Sequence, residues 1–185
     1  MQPELHPVSS AAIKIDLPDT LQTQDYTCGA AALLSLCLYY GRGPETEQEV
    51  THDMGFGREG SDPAHVLRAV RKYELQFEEF RPMTIRQLQA CLDLKRPVML
   101  MLQAWADPPP DTYRDRWTDG HWVVAIGYDH AGFYFEDPSI QRRRGFLSDA
   151  ALDERWHDIE GEDNHPVEHY GVAIWKPPLE ARRIV

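Results

Sequence analysis

The residues best able to do chemistry in this chain are its thiols and the histidines that could serve them. Cysteines stand at positions 28, 37 and 91. Cys37 and Cys91 sit inside apolar helical patterns and read as small buried hydrophobes. Cys28 differs, because it follows the polar stretch "LQTQDYT" and opens the apolar run "CGAAALLSLCLYYG". It therefore falls at the start of a helix. Unpaired backbone N–H groups and the helix dipole favour an anion there, which lowers a thiol pKa and raises its thiolate fraction. Gly29 leaves out a side chain where a substrate carbonyl has to approach. Cys28 is the candidate nucleophile.

A thiolate nucleophile needs a base, usually histidine, and that histidine needs an orienting group. Of the eight histidines, His6 and His165 neighbour prolines, and His52, His65 and His157 fall in or beside helices. His130 sits in a turn and His169 opens a final strand. His121 stands apart: it follows Gly120 and begins the strand "HWVVAIGYD" directly after a long polar loop. A strand edge beside a loop is where a rigid scaffold presents a side chain. The partner strand of that hairpin ends in Glu136-Asp137-Pro138. With the turn centred on His130, His121 lies opposite Ser139 and Asp137 is its diagonal neighbour on the same face. A half-residue shift would send Asp137 to the other face. In the first register Asp137 hydrogen-bonds His121 and fixes its tautomer; the plain alternative is a turn that merely ends a strand.

The elements that must position these groups are readable in outline. Thr27 is the N-cap and Gly41 the stop of a helix apolar on every face, hence central and buried. Asp62 caps a second helix opened by Pro63 and running to about Lys72. "LQFEEF" reads as a short strand, "TIRQLQACLDL" as an amphipathic helix and "RPVMLMLQAW" as a buried strand. "ADPPPDTYRDRWTDG", residues 106–120, is a long loop beside the candidate site. "HWVVAIGYD" and "GFYFED" form a hairpin, "SDAALDERWH" a last helix and "HYGVAIW" a last strand. Helices first and an antiparallel sheet afterwards is the order of an α+β domain. Residues 1–185 are read as one domain with an irregular leader segment over 1–20.

Composition narrows the classes. The chain has 185 residues and a formal charge of −11. That argues against a general nucleic-acid binder, which needs cations to displace phosphate counterions. The basic run Arg142-Arg143-Arg144 reads as a solvated turn. Three scattered cysteines make neither a disulfide framework nor a CxxC metal site. The N-terminal stretch lacks the basic start and apolar core of a secretion signal, and no apolar run reaches the roughly 20 residues of a membrane span. A cytoplasmic chain with reduced thiols is the expectation.

"QTQDYTCGAAALLSLCLYYG", "GHWVVAIGY" and "FYFEDPS" together resemble the bacteriocin-processing, double-glycine leader peptidases. These are papain-like cysteine proteases often fused to export ABC transporters. The shared pattern is a glutamine shortly before the cysteine, a helix ending in Tyr-Tyr-Gly, a histidine opening a strand, and an Asp-Pro one hairpin later. It spans Gln22 to Pro138. The resemblance implies a papain-like α+β fold, a peptide or protein substrate and no cofactor. It further implies Cys28 as nucleophile, His121 as base and later acid, Asp137 as orienter and Gln22 as oxyanion-hole donor. Such an intermediate needs more than one donor, and the Cys28 backbone N–H supplies one; Gln24 is a rival to Gln22 by proximity. Two departures are visible. No transporter segment accompanies the motifs, so a stand-alone domain is expected, and the 106–120 loop has no counterpart in the pattern.

Other readings share these residues. A cysteine-dependent amidase, deamidase or acyltransferase would use the same thioester chemistry on another amide. A non-catalytic peptide-binding module would have no need of an intact triad. A zinc site built from Cys28, His121 and Asp137 lacks a second cysteine or a close histidine pair.

Overall fold

The computed structural model of the chain describes residues 12–161 and 163–178. Helix α1 (Cys28–Tyr40) is buried from Cys28 through Cys37, as expected of a helix with no polar face. Gly41 ends it in the left-handed region, at φ 60°, where a side chain would be strained. Helix α2 (Glu47–Met54) is not anticipated above, although Thr46 accepts a hydrogen bond from the Glu49 N–H in an ordinary N-cap. Helix α3 (Pro63–Lys72) has a reciprocal cap between Asp62 and His65. Strand β1 (Gln76–Phe80) and helix α4 (Ile85–Asp93), capped by Thr84, follow. Helix α1 packs against α2 and α3 on one side.

The rest is mainly sheet. Strands β2 (Val98–Gln103), β3 (Gly120–Tyr128), β4 (Phe133–Glu136) and β5 (Gly145–Leu147) come in turn, then helix α5 (Asp149–Arg155), a small pair β6 (His157–Glu160) and β7 (His165–Glu168), and β8 (Gly171–Trp175). The main sheet runs β1-β8-β2-β3-β4-β5 with every neighbouring pair antiparallel. Strand β2 is fully buried, which its unbroken apolar run requires. Helix α5 stops at Arg155, so Trp156 and His157 leave the helix expected of "SDAALDERWH"; His157 starts β6. Likewise His169 precedes β8 rather than opening it, and its ring stacks on Trp156 at 5.0 Å.

The leader segment lies partly outside the described residues. Its remainder, 12–20, is irregular but integral. Ile15 and Leu17 are core residues, and the Lys14 and Ile15 N–H groups both donate to the Ile126 carbonyl. Farther along, the Thr20 N–H donates to the Glu136 carboxylate. Arg144, read from sequence as part of a solvated turn, pairs with that same buried carboxylate and with Asp16. Glu136 has no exposed surface, and a buried carboxylate demands such partners. Among the described residues no helix is long and apolar enough to cross a membrane.

Candidate active site

Cys28 is the first residue of α1, and α1 packs directly on β3. Thr27 stands at the N-cap position, but its hydroxyl turns back to the Gln24 carbonyl and does not cap the helix. The N–H groups of the first turn are thus left without a side-chain acceptor from the cap, and the helix presents its positive end at the thiol. The absence of a side chain at Gly29 has a different cause from the one inferred from sequence. A Cβ there would lie 2.1 Å from Ser61 Oγ and 3.0 Å from Trp122 Cδ1, so close packing of the loop before α3, and not substrate approach, fills the space.

His121 is the second residue of β3, opposite Leu102 of β2, and Asp137 follows the last residue of β4. Their alignment depends on a bulge. Near the turn, Tyr128 pairs with Phe133 and Gly127 with Tyr134; beyond the bulge, Ala125 pairs with Phe135 and Val124 with Glu136. The turn is therefore centred between His130 and Ala131, the half-residue shift that would misplace Asp137. The extra residue, Ile126, restores the phase, and its carbonyl is taken up by the N-terminal segment. Asp137 consequently shares a face with His121, and its Oδ1 lies 2.8 Å from His121 Nε2.

Asp137 is densely bonded. The Ser139 N–H donates to Oδ1 at 2.8 Å and the Trp105 indole N–H to Oδ2 at 3.2 Å. An ionised carboxylate only accepts, so the His121 proton sits on Nε2 and leaves Nδ1 for Cys28, the ring's other side-chain partner. Burial is the largest influence on His121 and opposes its charge. The hydrogen bonds and charges of Asp137 and Cys28 together outweigh it and raise the imidazole to about 10. The ring is thus protonated at neutral pH, facing the sulfur. By contrast, burial pushes the Cys37 thiol up to about 12 and raises that of Cys91 as well.

Gln22 is tied to the same turn. Its N–H donates to the Pro138 carbonyl, and Ser139 Oγ donates to its Oε1 at 3.1 Å. Its Nε2 donates to the Gln24 carbonyl at 3.0 Å. A carbonyl only accepts, so the amide orientation is determined and a second Nε2–H remains for another acceptor. Gln24 contributes backbone groups to this loop.

Cys28 lines a cleft of about 510 Å³ together with Gly60, Ser61, Met101, Trp117, Thr118, Gly120, Trp122 and Asp158. Ser61 Oγ is buried there without a partner among the described residues. The long loop thus reaches the cleft through Trp117. A second hollow of about 620 Å³ lies beyond Asp137, walled by Trp105, Phe135 and Phe146, but it contains no nucleophile. Two residues of the site escaped sequence reading. Trp105 sits one residue before the 106–120 loop at φ 62°, and Asp158 lies just past the stretch read as a last helix, in no element assigned from sequence. No local pattern marks either.

Comparison of the sequence with curated proteins returns no match. Among solved structures, the chain is similar to a double glycine motif protease from an AMS/PCAT transporter in complex with the leader peptide, at 18% identity and TM-score 0.61. That match covers 94% of this chain and 100% of the other. It is also similar to the peptidase domain of Streptococcus ComA, a bifunctional ABC transporter involved in a quorum sensing pathway (14%, TM-score 0.63, covering 85% and 97%). A Bacillus anthracis protein described as a C39-like peptidase matches at 13% identity and TM-score 0.68, covering 90% and 98%. At such identities these likenesses establish the fold, the papain-like α+β arrangement. The sequence itself matches the model of the Peptidase_C39 like family over residues 14–163, most of its length, and the chain belongs to that family.

Proposed function

We propose that the chain is a cysteine peptidase that hydrolyses a peptide bond through a thioester on Cys28. The observation that carries this reading is the line of contacts from Asp137 through His121 to Cys28 at the mouth of a peptide-sized cleft. Cys28 attacks the amide carbonyl as a thiolate. His121, already protonated, gives its proton to the leaving amine and then takes one from the water that resolves the thioester. Asp137 holds the ring and its charge. The Cys28 N–H and the free Nε2–H of Gln22 are the donors assigned to the oxyanion. Support for a peptide occupant comes from the relative bound to a leader peptide. The three free cysteines, all buried, suit a reducing compartment such as the cytoplasm.

The test is incubation of the full chain and its C28A variant with a proteome-derived peptide mixture, read by mass spectrometry of new N-termini. New termini are expected with the parent chain alone. Ammonia release without new termini would reassign the chain to a side-chain amidase; neither product would remove the hydrolase reading.

A further inference from the structure

Asp158 is the second residue of β6, 7% exposed, and it lines the cleft that holds Cys28. Its carboxylate lies flat against Gly120, where a Cβ would meet Oδ2 at 2.5 Å and Oδ1 at 2.6 Å. Gln103 Nε2 donates to Oδ1 at 3.0 Å, and the Ile159 N–H donates to the same oxygen at 2.9 Å. Both contacts favour the ionised form, yet among the described residues no lysine or arginine pairs with it. Buried carboxylates ordinarily have a cation beside them. The one charged group that acts on Asp158 is the His121 imidazolium, which the line to Cys28 already engages, so the carboxylate on the wall of this cleft has no cation of its own. Trp117 and Trp122 line the same cleft together with Met101. Trp122 is buried, its N–H bonded to the Ser61 carbonyl, whereas Trp117 is partly exposed, and an indole beside a carboxylate favours a cation carried on an apolar stem, the guanidinium above all. The other charged residues of the lining are Asp25 and Glu59 against Arg58, an acidic excess.

We propose that Asp158 determines substrate specificity by accepting the guanidinium of a substrate arginine, seated beside Trp117. The proposal rests on the reading of this cleft as a peptide groove and deepens it. Burial raises the Asp158 carboxyl to about 7, against the pull of the Ile159 N–H, Gln103 and His121. The group is therefore ionised in a growing fraction as pH rises through 7, and the attraction to arginine grows with it.

The experiment uses the full chain as C28A, which binds without turnover, and reads tryptophan fluorescence. The probes are alanine-based pentapeptide amides with arginine, or its uncharged isostere citrulline, placed at each position in turn. At about pH 8 one register is expected to favour arginine over citrulline by about tenfold. That ratio falls toward one at about pH 5.5. D158N removes it and leaves citrulline binding largely intact. Should D158N fail to fold, the pH series on C28A decides alone. Equal affinities in every register at pH 8, an arginine preference indifferent to pH, or one retained in a folded D158N would overturn the assignment. Arginine preference in a chain that cleaves nothing would sink the peptidase reading and leave this one standing. Cleavage without the preference would do the reverse.

Discussion

Asp137 accepts from three donors at once, and each can be removed separately. In D137N the charge that sustains the His121 imidazolium is gone, and kcat/KM is expected to fall by about 100-fold or more. W105F keeps an aromatic ring but deletes the indole N–H, one charge-assisted hydrogen bond, so a loss of about tenfold in kcat with KM nearly unchanged is expected. An unaltered kcat in W105F would make the tryptophan a bystander. The raised imidazole also sets an alkaline limit: kcat/KM should decline as pH rises through about 10, where His121 loses its proton. Iodoacetamide offers a check independent of substrate. At mildly acidic pH, peptide mapping should find Cys28 alkylated well before Cys37 and Cys91, whose thiols burial holds protonated. Uniform labelling would count against an activated thiol.

At the scale of elements, the site depends on a bulge in β3 and on the segment that docks beside it. Gly127 lies at that junction, where a Cβ would come within 2.0 Å of the Ala12 carbonyl oxygen and 2.9 Å of Ile13 Cα. Both obstacles are backbone, so G127A must push the segment away. A loss of about 1–3 kcal/mol in denaturant unfolding is expected, as for other overpacked sites. Activity should fall as well, because the same contacts hold the phase of His121 and Asp137; full activity in a destabilised G127A would separate the two roles. This junction also marks what sequence can convey. Helices α1, α3 and α4 and strands β1 to β4 were legible because caps, apolar period and tight turns are local signals. The placement of Cys28, His121 and Asp137 at or beside element ends was legible in the same way. The register that unites them was not, because one extra residue in β3 has no signature in "VVAIGY". Helix α2 escaped notice despite its Thr46 cap. The start of β6 was hidden by the helical look of "SDAALDERWH", whose last two residues are drawn into other contacts: Trp156 Nε1–H to the Tyr170 carbonyl and His157 to the Arg116 carbonyl.

Over the whole molecule, the response of stability to pH follows chiefly from two buried carboxyls near the site, Glu136 and Asp158. Burial raises Glu136 to about 7, against the Thr20 N–H and Arg144, and raises Asp158 to about 7 in the same way. Unfolded, both titrate near 4. Between about pH 4 and 7 the native chain therefore holds protons that the unfolded chain has released. The stabilisation is fully present below about 4 and is lost as pH rises through 7. Carboxyls of the opposite kind act lower: Asp93, held down by Lys14, stabilises above about 4, and at 54% exposure solvent screening leaves it little weight. The overall charge of −11 at pH 7 shrinks on acidification, which eases self-repulsion in the same direction. The thermal midpoint should accordingly be higher at about pH 5 than at about pH 7.5, by several degrees. Calorimetry on the double variant E136Q/D158N separates the contributions: its midpoint should vary less over this range, with the net-charge effect and the raised His121, whose stabilisation begins to fade above about pH 6.5, remaining. A parent midpoint that rises from pH 5 to 7.5 would mean that Arg144 and the N–H donors keep these carboxylates ionised in the folded chain, and it would count against the pH-dependent arginine preference assigned to Asp158.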